Sequence, residues 1–192
     1  MFIRLTNGKP ETYTIGQLRR DNPQTSFPKH PSDELLAEWN VYSCVQQDLP
    51  AYDHLTEKVS EGPIEQINGV WTRTWAVEQL PEEEASERKK REIKARRDEA
   101  INAGTTVNGV SVATDDISQQ RITGAALAVQ IDPTTTVNWK MPDGTFTTLT
   151  STQIIAIAQA VRAHIQACFD REAELLNALA TDQPYDLTTG WP

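Results

Sequence analysis

The chain has 192 residues, 38% hydrophobic and 23% charged, with a formal net charge of −9 and a pI near 4.8. That length lies between one and two ordinary domains, and the acidity argues against nucleic-acid binding as a bulk property. No apolar run approaches the length that spans a bilayer. Two cysteines, Cys44 and Cys168, lie far apart without CxxC spacing. They make neither a disulfide framework nor a zinc site, and they read as small buried hydrophobes.

The first residues, Met1-Phe2-Ile3-Arg4-Leu5-Thr6, read as a strand start rather than a charged segment leading an apolar stretch. A soluble protein made in a cytoplasm without a signal peptide is expected. Asn7-Gly8 predicts a hairpin turn with a return strand at 12–14. Thr14 then caps a short helix over 15–20, ended by Asn22-Pro23, and 25–31 reads as loop. Ser32 is the expected N-cap of an amphipathic helix over 32–39. Strands are expected at 41–45, 54–62 and 64–78, the last broken by an Asn68-Gly69 turn. Alternation puts Trp71 and Trp75 on one face, and Val70, Thr72, Thr74 and Ala76 on the other. The tryptophan pair reads as a contact surface. Residues 1–80 thus form a small N-terminal α+β domain.

Residues 81–104 differ. Pro81 suits a first helical turn, and Glu82, Glu83 and Glu84 follow where the helix dipole favours them. Glu84–Arg88, Glu87–Arg91 and Glu92–Arg96 are favourable i,i+4 pairs, and Ile93, Ala100 and Ile101 are the clear apolar anchors. A helix this polar all round reads as a linker between domains, closed by Gly104. Its interleaved glutamates cancel the field that a basic nucleic-acid patch needs.

Residues 105–180 use one module twice, a hairpin with a Gly turn followed by a capped helix. The first copy turns at Asn108-Gly109, and Thr114-Asp115-Asp116 leads an apolar segment to about 129. The second spans 137–149 with a turn at Asp143-Gly144, and Thr150 and Gln153 fit a capping box for a helix over 151–180. Along that helix Ile154, Ala158, Val161, Ile165, Cys168, Leu175 and Leu179 recur at alternating four and three spacing, with Glu172 in the one gap. This is a heptad seam. Two readings stay open for it: a helix packed on its own hairpins, or a seam between subunits. Trp139 and Phe146 lie on opposite arms of the second hairpin, placed to pack across it. The tail, 181–192, reads as extended, with Tyr185, Leu187 and Trp191 available to dock on a neighbour.

No motif points to catalysis, a cofactor or a metal. His30, His54 and His164 lack metal-ligand spacing with another His or Cys, and His164 reads as a partly buried structural residue beside the seam. There is no GxSxG, no Walker-type loop and no GxGxxG. Asp115-Asp116 reads as a helix cap and Asp143-Gly144 as a turn rather than a metal loop. An acidic pair facing a cleft, which a glycan-cleaving enzyme needs, is not apparent.

From Ala95-Arg96-Arg97-Asp98-Glu99-Ala100-Ile101-Asn102-Ala103-Gly104 onward the chain resembles a C-terminal domain, without assigned function, found in tailed-bacteriophage proteins. The resemblance continues through the hairpin 107–112, Thr114-Asp115-Asp116-Ile117-Ser118-Gln119, Ile122-Thr123-Gly124-Ala125-Ala126-Leu127 and Val137-Asn138-Trp139-Lys140-Met141-Pro142-Asp143-Gly144-Thr145. It ends in the Ala-rich helix with Val161, His164 and Ile165, and covers close to half the chain. The N-terminal part is similar to phage tail proteins at Tyr13-Thr14-Ile15-Gly16-Gln17-Leu18 and Gly69-Val70-Trp71-Thr72-Arg73-Thr74-Trp75.

The resemblance implies a context, a phage tail, and carries no residue roles. It leads to the expectation of a virion structural protein, made in the host cytoplasm: a short tail-fibre or baseplate-attached adaptor linking tail and distal fibre. Its partners would be other tail, baseplate or fibre proteins and further copies of itself, a trimer before a dimer, with no nucleic acid and no membrane. The interaction candidates are Trp71, Trp75, Ile154, Val161, Ile165, Leu175, Leu179 and Trp191. The polar helix would act as a spacer of roughly 30 Å at 1.5 Å per residue. The alternative expectation is a tail-fibre assembly chaperone that binds fibre protein transiently.

Overall fold

Three hairpins in this fold are set by Asn-Gly pairs. The computed structural model describes residues 1–141 and 144–192. In it Asn7-Gly8, Asn68-Gly69 and Asn108-Gly109 have φ of 51–53° at Asn and 78–82° at Gly. Positive φ at both positions is the type I′ turn, whose twist matches that of the strands it joins. The three turns join β1 (Phe2–Thr6) to β2 (Lys9–Tyr13), β4 (Glu57–Ile67) to β5 (Val70–Gln79), and β6 (Thr105–Val107) to β7 (Val110–Val112). Among the described residues there are nine strands and five helices, an α+β fold. The chain divides into two units, Met1–Ala85 and Ser86–Pro192.

The first unit holds a five-stranded sheet in the order β2-β1-β3-β5-β4, with β3 at Val41–Gln46. Neighbours are antiparallel except β3 and β5. Where the sequence suggested two strands, β4 runs through Gly62-Pro63 as one strand whose register shifts between Glu61 and Ile64. Pro63 has no amide for the ladder, and a Cβ on Gly62 would stand 2.6 Å from Thr74 Oγ1. A bulge accommodates both. Residues 54–56, expected as strand, form a turn in which the Asp53 carboxylate accepts from the Leu55 amide and the Thr56 hydroxyl.

One face of the sheet packs on α1 (Ile15–Asp21) and α2 (Asp33–Ala37). Tyr13, Leu18, Leu36 and Val41 form that core, with Phe2, Phe27 and Trp39 around it. Thr14 and Ser32 cap the two helices as expected, accepting from the Gln17 and Leu35 amides. The register puts Ile3, Thr12, Tyr42, Cys44, Trp71, Arg73 and Trp75 on the other face. There Arg73 on β5 hydrogen-bonds Thr12 on β2 and Glu61 on β4. In a flat sheet β5 and β2 stand about 14 Å apart, three spacings of roughly 4.8 Å, well beyond an arginine's reach. The sheet therefore curls around this face. The curl brings β2 into contact with β4 and buries Ile3 and Cys44 on its concave side.

The second unit begins inside α3 (Glu82–Asn102). The sequence suggested a separate spacer at 81–104. From Ser86 onward the helix is instead part of this unit. Ile93 and Ala100 are buried, and Arg97 pairs with Glu172 of α5 (Ser151–Ala180) at 2.6 Å. The Thr114 hydroxyl donates to the Ile101 carbonyl. Glu92–Arg96 forms as expected at 3.1 Å. The Glu87 carboxylate engages Lys90 instead of Arg91, which reaches the Glu87 carbonyl.

The repeated module is present: β6 and β7 lead to α4 (Asp116–Ile131), and β8 (Val137–Lys140) and β9 (Phe146–Leu149) lead to α5. Asp115 caps α4. Thr150 and Gln153 close the capping box on α5, with the Thr150 amide 2.9 Å from Gln153 Oε1. The expected Asp143-Gly144 turn falls partly outside the described residues, which omit Pro142 and Asp143; Gly144 has φ +86°. The core gathers Val112, Ile122, Val129, Leu149, Ile154, Ile157 and Val161.

Three expectations change here. Of the two readings left open for α5, packing within its own unit is what Ile154 and Val161 do. Trp139 and Phe146 do not meet: Trp139 is paired with Thr147 and Lys140 with Phe146, so the rings point to opposite faces. Trp139 packs on the core, and Phe146 is 68% exposed. The tail is not extended away. The Arg171 guanidinium donates to the Asp186 and Thr189 carbonyls at 3.1 and 3.0 Å, and the Trp191 indole donates to the Leu187 carbonyl at 2.9 Å.

Candidate functional site

The residues expected to make contacts do not converge on one surface. Trp71 and Trp75 line the concave side of the first unit, both half-buried. The Trp71 ring lies 6.4 Å from that of Tyr42, and the Trp75 indole donates to the Gln47 carbonyl at 2.9 Å. Ile154, Val161 and Leu175 are buried within the second unit and are not available to another chain. Ile165, Leu179 and Trp191 are half-buried. The physical reason is general: a heptad stripe is apolar whatever covers it, and here elements of the same unit do.

The polar groups that might have passed as chemistry have structural partners. His164 Nε2 lies 3.1 Å from the Ala100 carbonyl and 3.9 Å from Cys168 Sγ. Burial pushes the Cys168 thiol up, against the smaller pull of its own backbone hydrogen bond and the Arg97 charge. The Asp115 carboxylate accepts from the Ser118 hydroxyl and from the Ser118 and Ile117 amides, which hold it below its usual range. Asp186 is held down to about 2 by the Thr188 hydroxyl and amide, with help from the Thr189 hydroxyl. Among the described residues no group of three His, Cys, Asp or Glu side chains is placed to hold a metal, and no helix is long and apolar enough to cross a membrane.

Several concavities lie in the second unit. A cleft of about 550 Å³ at the root of the hairpins is lined by Ser111, Ser118, Arg121, Asn138, Trp139 and Lys140 among others, which gives it a positive rim. A groove of about 450 Å³ between α4 and α5 has Ile122, Val161, Ile165 and Phe169 in its lining.

Sequence reading missed the exposed apolar surface. On β3, β4 and β5 the register puts Val45, Ile67 and Val70 on one face, each 41–50% exposed. On α4, Ile117, Leu127 and Ile131 face solvent. On α4 the signal was present, as apolar residues on a second face of an element that already had a buried one.

Residues 84–189, more than half of the chain, match the family model described as Domain of unknown function (DUF4376). The chain belongs to the DUF4376 family. The matched DUF4376 region and the second structural unit, Ser86–Pro192, are nearly coextensive. No curated protein and no solved structure matches the chain.

Proposed function

We propose that the protein is a structural component of a phage tail, a short tail-fibre or baseplate-attached adaptor that links tail and distal fibre through protein–protein contacts. The observation that carries this reading is the run from Ala95 into α5, whose charged helix, Asn-Gly hairpin, capped helix and Trp-bearing hairpin resemble tailed-phage proteins. The architecture supports it. A connector needs two bodies, each with a surface to offer, and the chain has two units with separate cores. Each presents apolar side chains to solvent, Val45, Ile67 and Val70 on the first and the outer face of α4 on the second. An adaptor of this kind needs no catalytic residue, cofactor or metal.

Quantitative mass spectrometry of purified particles tests the proposal. An amount stoichiometric with other tail proteins supports a structural role. A trace in particles, with the protein co-purifying with fibre protein before assembly, marks the chaperone alternative instead. Absence from both sinks the tail reading.

A further inference from the structure

The second unit has two short ladders whose outer edges are unpaired: β6 with β7 and β8 with β9 are separate two-stranded sheets. Around the two-residue Asn108-Gly109 turn, Val107–Val110 is the closing hydrogen-bonded pair. Thr106–Ser111 is the unbonded pair next to it, so the Ser111 N–H and C=O point away from β6. On the other ladder the Met141 amide donates to the Thr145 carbonyl at 2.8 Å. Stepping by two, Trp139–Thr147 is bonded inward, and Asn138 and Lys140 turn their backbone groups away from β9.

These two edges wall the cleft of about 550 Å³. Ser111 and Ala113 line it from the β7 side, and every residue from 137 to 141 lines it from the other. A sheet face shows alternate residues; an unbroken run is the view along an edge. The floor is one stripe of α4, Ser118, Arg121 and Ala125 at i, i+3 and i+7. Val137 and Trp139 pack on the core, while Asn138 and Lys140 are on the opposite face of β8.

The cleft differs in charge from the rest of the chain. Arg121 and Lys140 are the only basic residues between Arg97 and Arg162, and both line it, with no Asp or Glu in the lining. Among the described residues neither side chain has a hydrogen bond or an ion pair. The Asp115 carboxylate, which accepts from Ser118, faces the amides of the α4 cap. In a chain of net charge −9, two unpaired cations in one recess focus a field that attracts acid.

The geometry points to an added strand: the cleft takes an extended acidic segment of a partner protein, paired to the outer edge of β8 with Ser111 on the far wall. An unpaired edge is a template for another strand. Main-chain bonds to Asn138 and Lys140 hold such a segment, and the alternation of its side chains makes the contact selective. Alternate residues of the segment face Val137, Trp139 and Ala125 and are apolar. Those between lie beside Lys140 and Arg121 and are Asp or Glu. Strand β8 has four residues, so the segment pairs over about 13 Å at roughly 3.3 Å per residue, and the contact is weak. A small anion would engage the two cations and leave both strand edges unpaired. This inference does not depend on the tail reading.

NMR titration of the full chain with three capped hexapeptides tests it. One alternates valine and glutamate, one alternates valine and lysine, and the third is the glutamate peptide with every backbone amide N-methylated. The first binds at millimolar concentration, shifts the amide signals of Ser111, Asn138 and Lys140, and slows hydrogen exchange at Asn138 and Lys140 severalfold. The other two bind about tenfold more weakly. Arg121→Glu with Lys140→Glu, at two exposed positions, keeps the circular dichroism spectrum and reverses the preference to the lysine peptide. A chain that does not bind the glutamate peptide overturns the inference. Equal binding of the methylated peptide overturns it too, because the site then takes an acid and not a strand. So does a glutamate peptide held as well by the charge-reversed variant.

Discussion

At the residue scale, most polar side chains that look like chemistry are finishing backbone. The first amides of a helix lack partners, and Thr14, Ser32, Asp115 and Thr150 supply them. Thr150→Ala should destabilise the second unit by about 1 kcal/mol, read as a lower melting temperature with an unchanged spectrum. The Asp186 carboxyl adds a pH dependence. Its pKa falls from 3.8 in the free chain to about 2 in the folded tail, so it stabilises the docked tail above pH 4. That contribution is lost as pH falls from about 4 toward about 2, because the unfolded state then binds the proton more readily. The amide signals of Thr188 and Thr189 should therefore lose hydrogen-exchange protection in that interval, and Asp186→Asn should bring the same loss at neutral pH. Protection that is unchanged down to pH 2 contradicts this. The caps were legible in the sequence because a cap involves residues three or four apart. Arg73 was not: its burial depends on a sheet curled enough for one side chain to reach both β2 and β4.

At the element scale, α3 and α5 show what periodicity withholds. The α5 stripe was legible as a stripe, and what covers it was not, since residues as far as 75 positions away in the chain can do so as well as another subunit. On α3 the buried face is only Ile93 and Ala100, two of the anchors the sequence offered, with Arg97 between them, too sparse to say what covers it. Arg97 and Glu172 are 13% and 15% exposed, and the guanidinium lies 4.8 Å from the Phe169 ring centre. Removing one partner from such a pair strands the other in poorly solvated surroundings. Arg97→Ala should cost about 2 kcal/mol, below the range for a fully buried pair. Adding Glu172→Leu to it should recover part of that loss. A double-mutant cycle with zero coupling would show that the two helices are held by packing alone.

At the scale of the whole molecule, each unit has its own core, and the DUF4376 match begins within a few residues of the second. A fragment starting at Glu82, the first residue of α3, should therefore fold alone, with α5 amides as protected as in the full chain. The full chain should then unfold in more than one step. A fragment that is unfolded, or a single sharp calorimetric transition, contradicts separate cores. Sequence placed the change of character near residue 81 because composition shifts there. It did not reveal that the charged helix joins the following unit, since that membership rests on the Arg97–Glu172 pair and the Ala100 carbonyl beside His164.

The Asn-Gly turns that set three hairpins also give the molecule a chemical clock. Glycine offers little steric shielding, so its amide nitrogen can attack the preceding asparagine side chain, expelling ammonia through a cyclic imide that opens to aspartate or isoaspartate. Each event leaves a new carboxylate, and the isoaspartate product also inserts a methylene into the backbone, at Asn7, Asn68 or Asn108, all held at positive φ. The type I′ geometry that makes these residues good turns is what an isoaspartate no longer fits. Ageing of stored protein should therefore appear first at hairpin tips, as growing acidity in an already acidic chain.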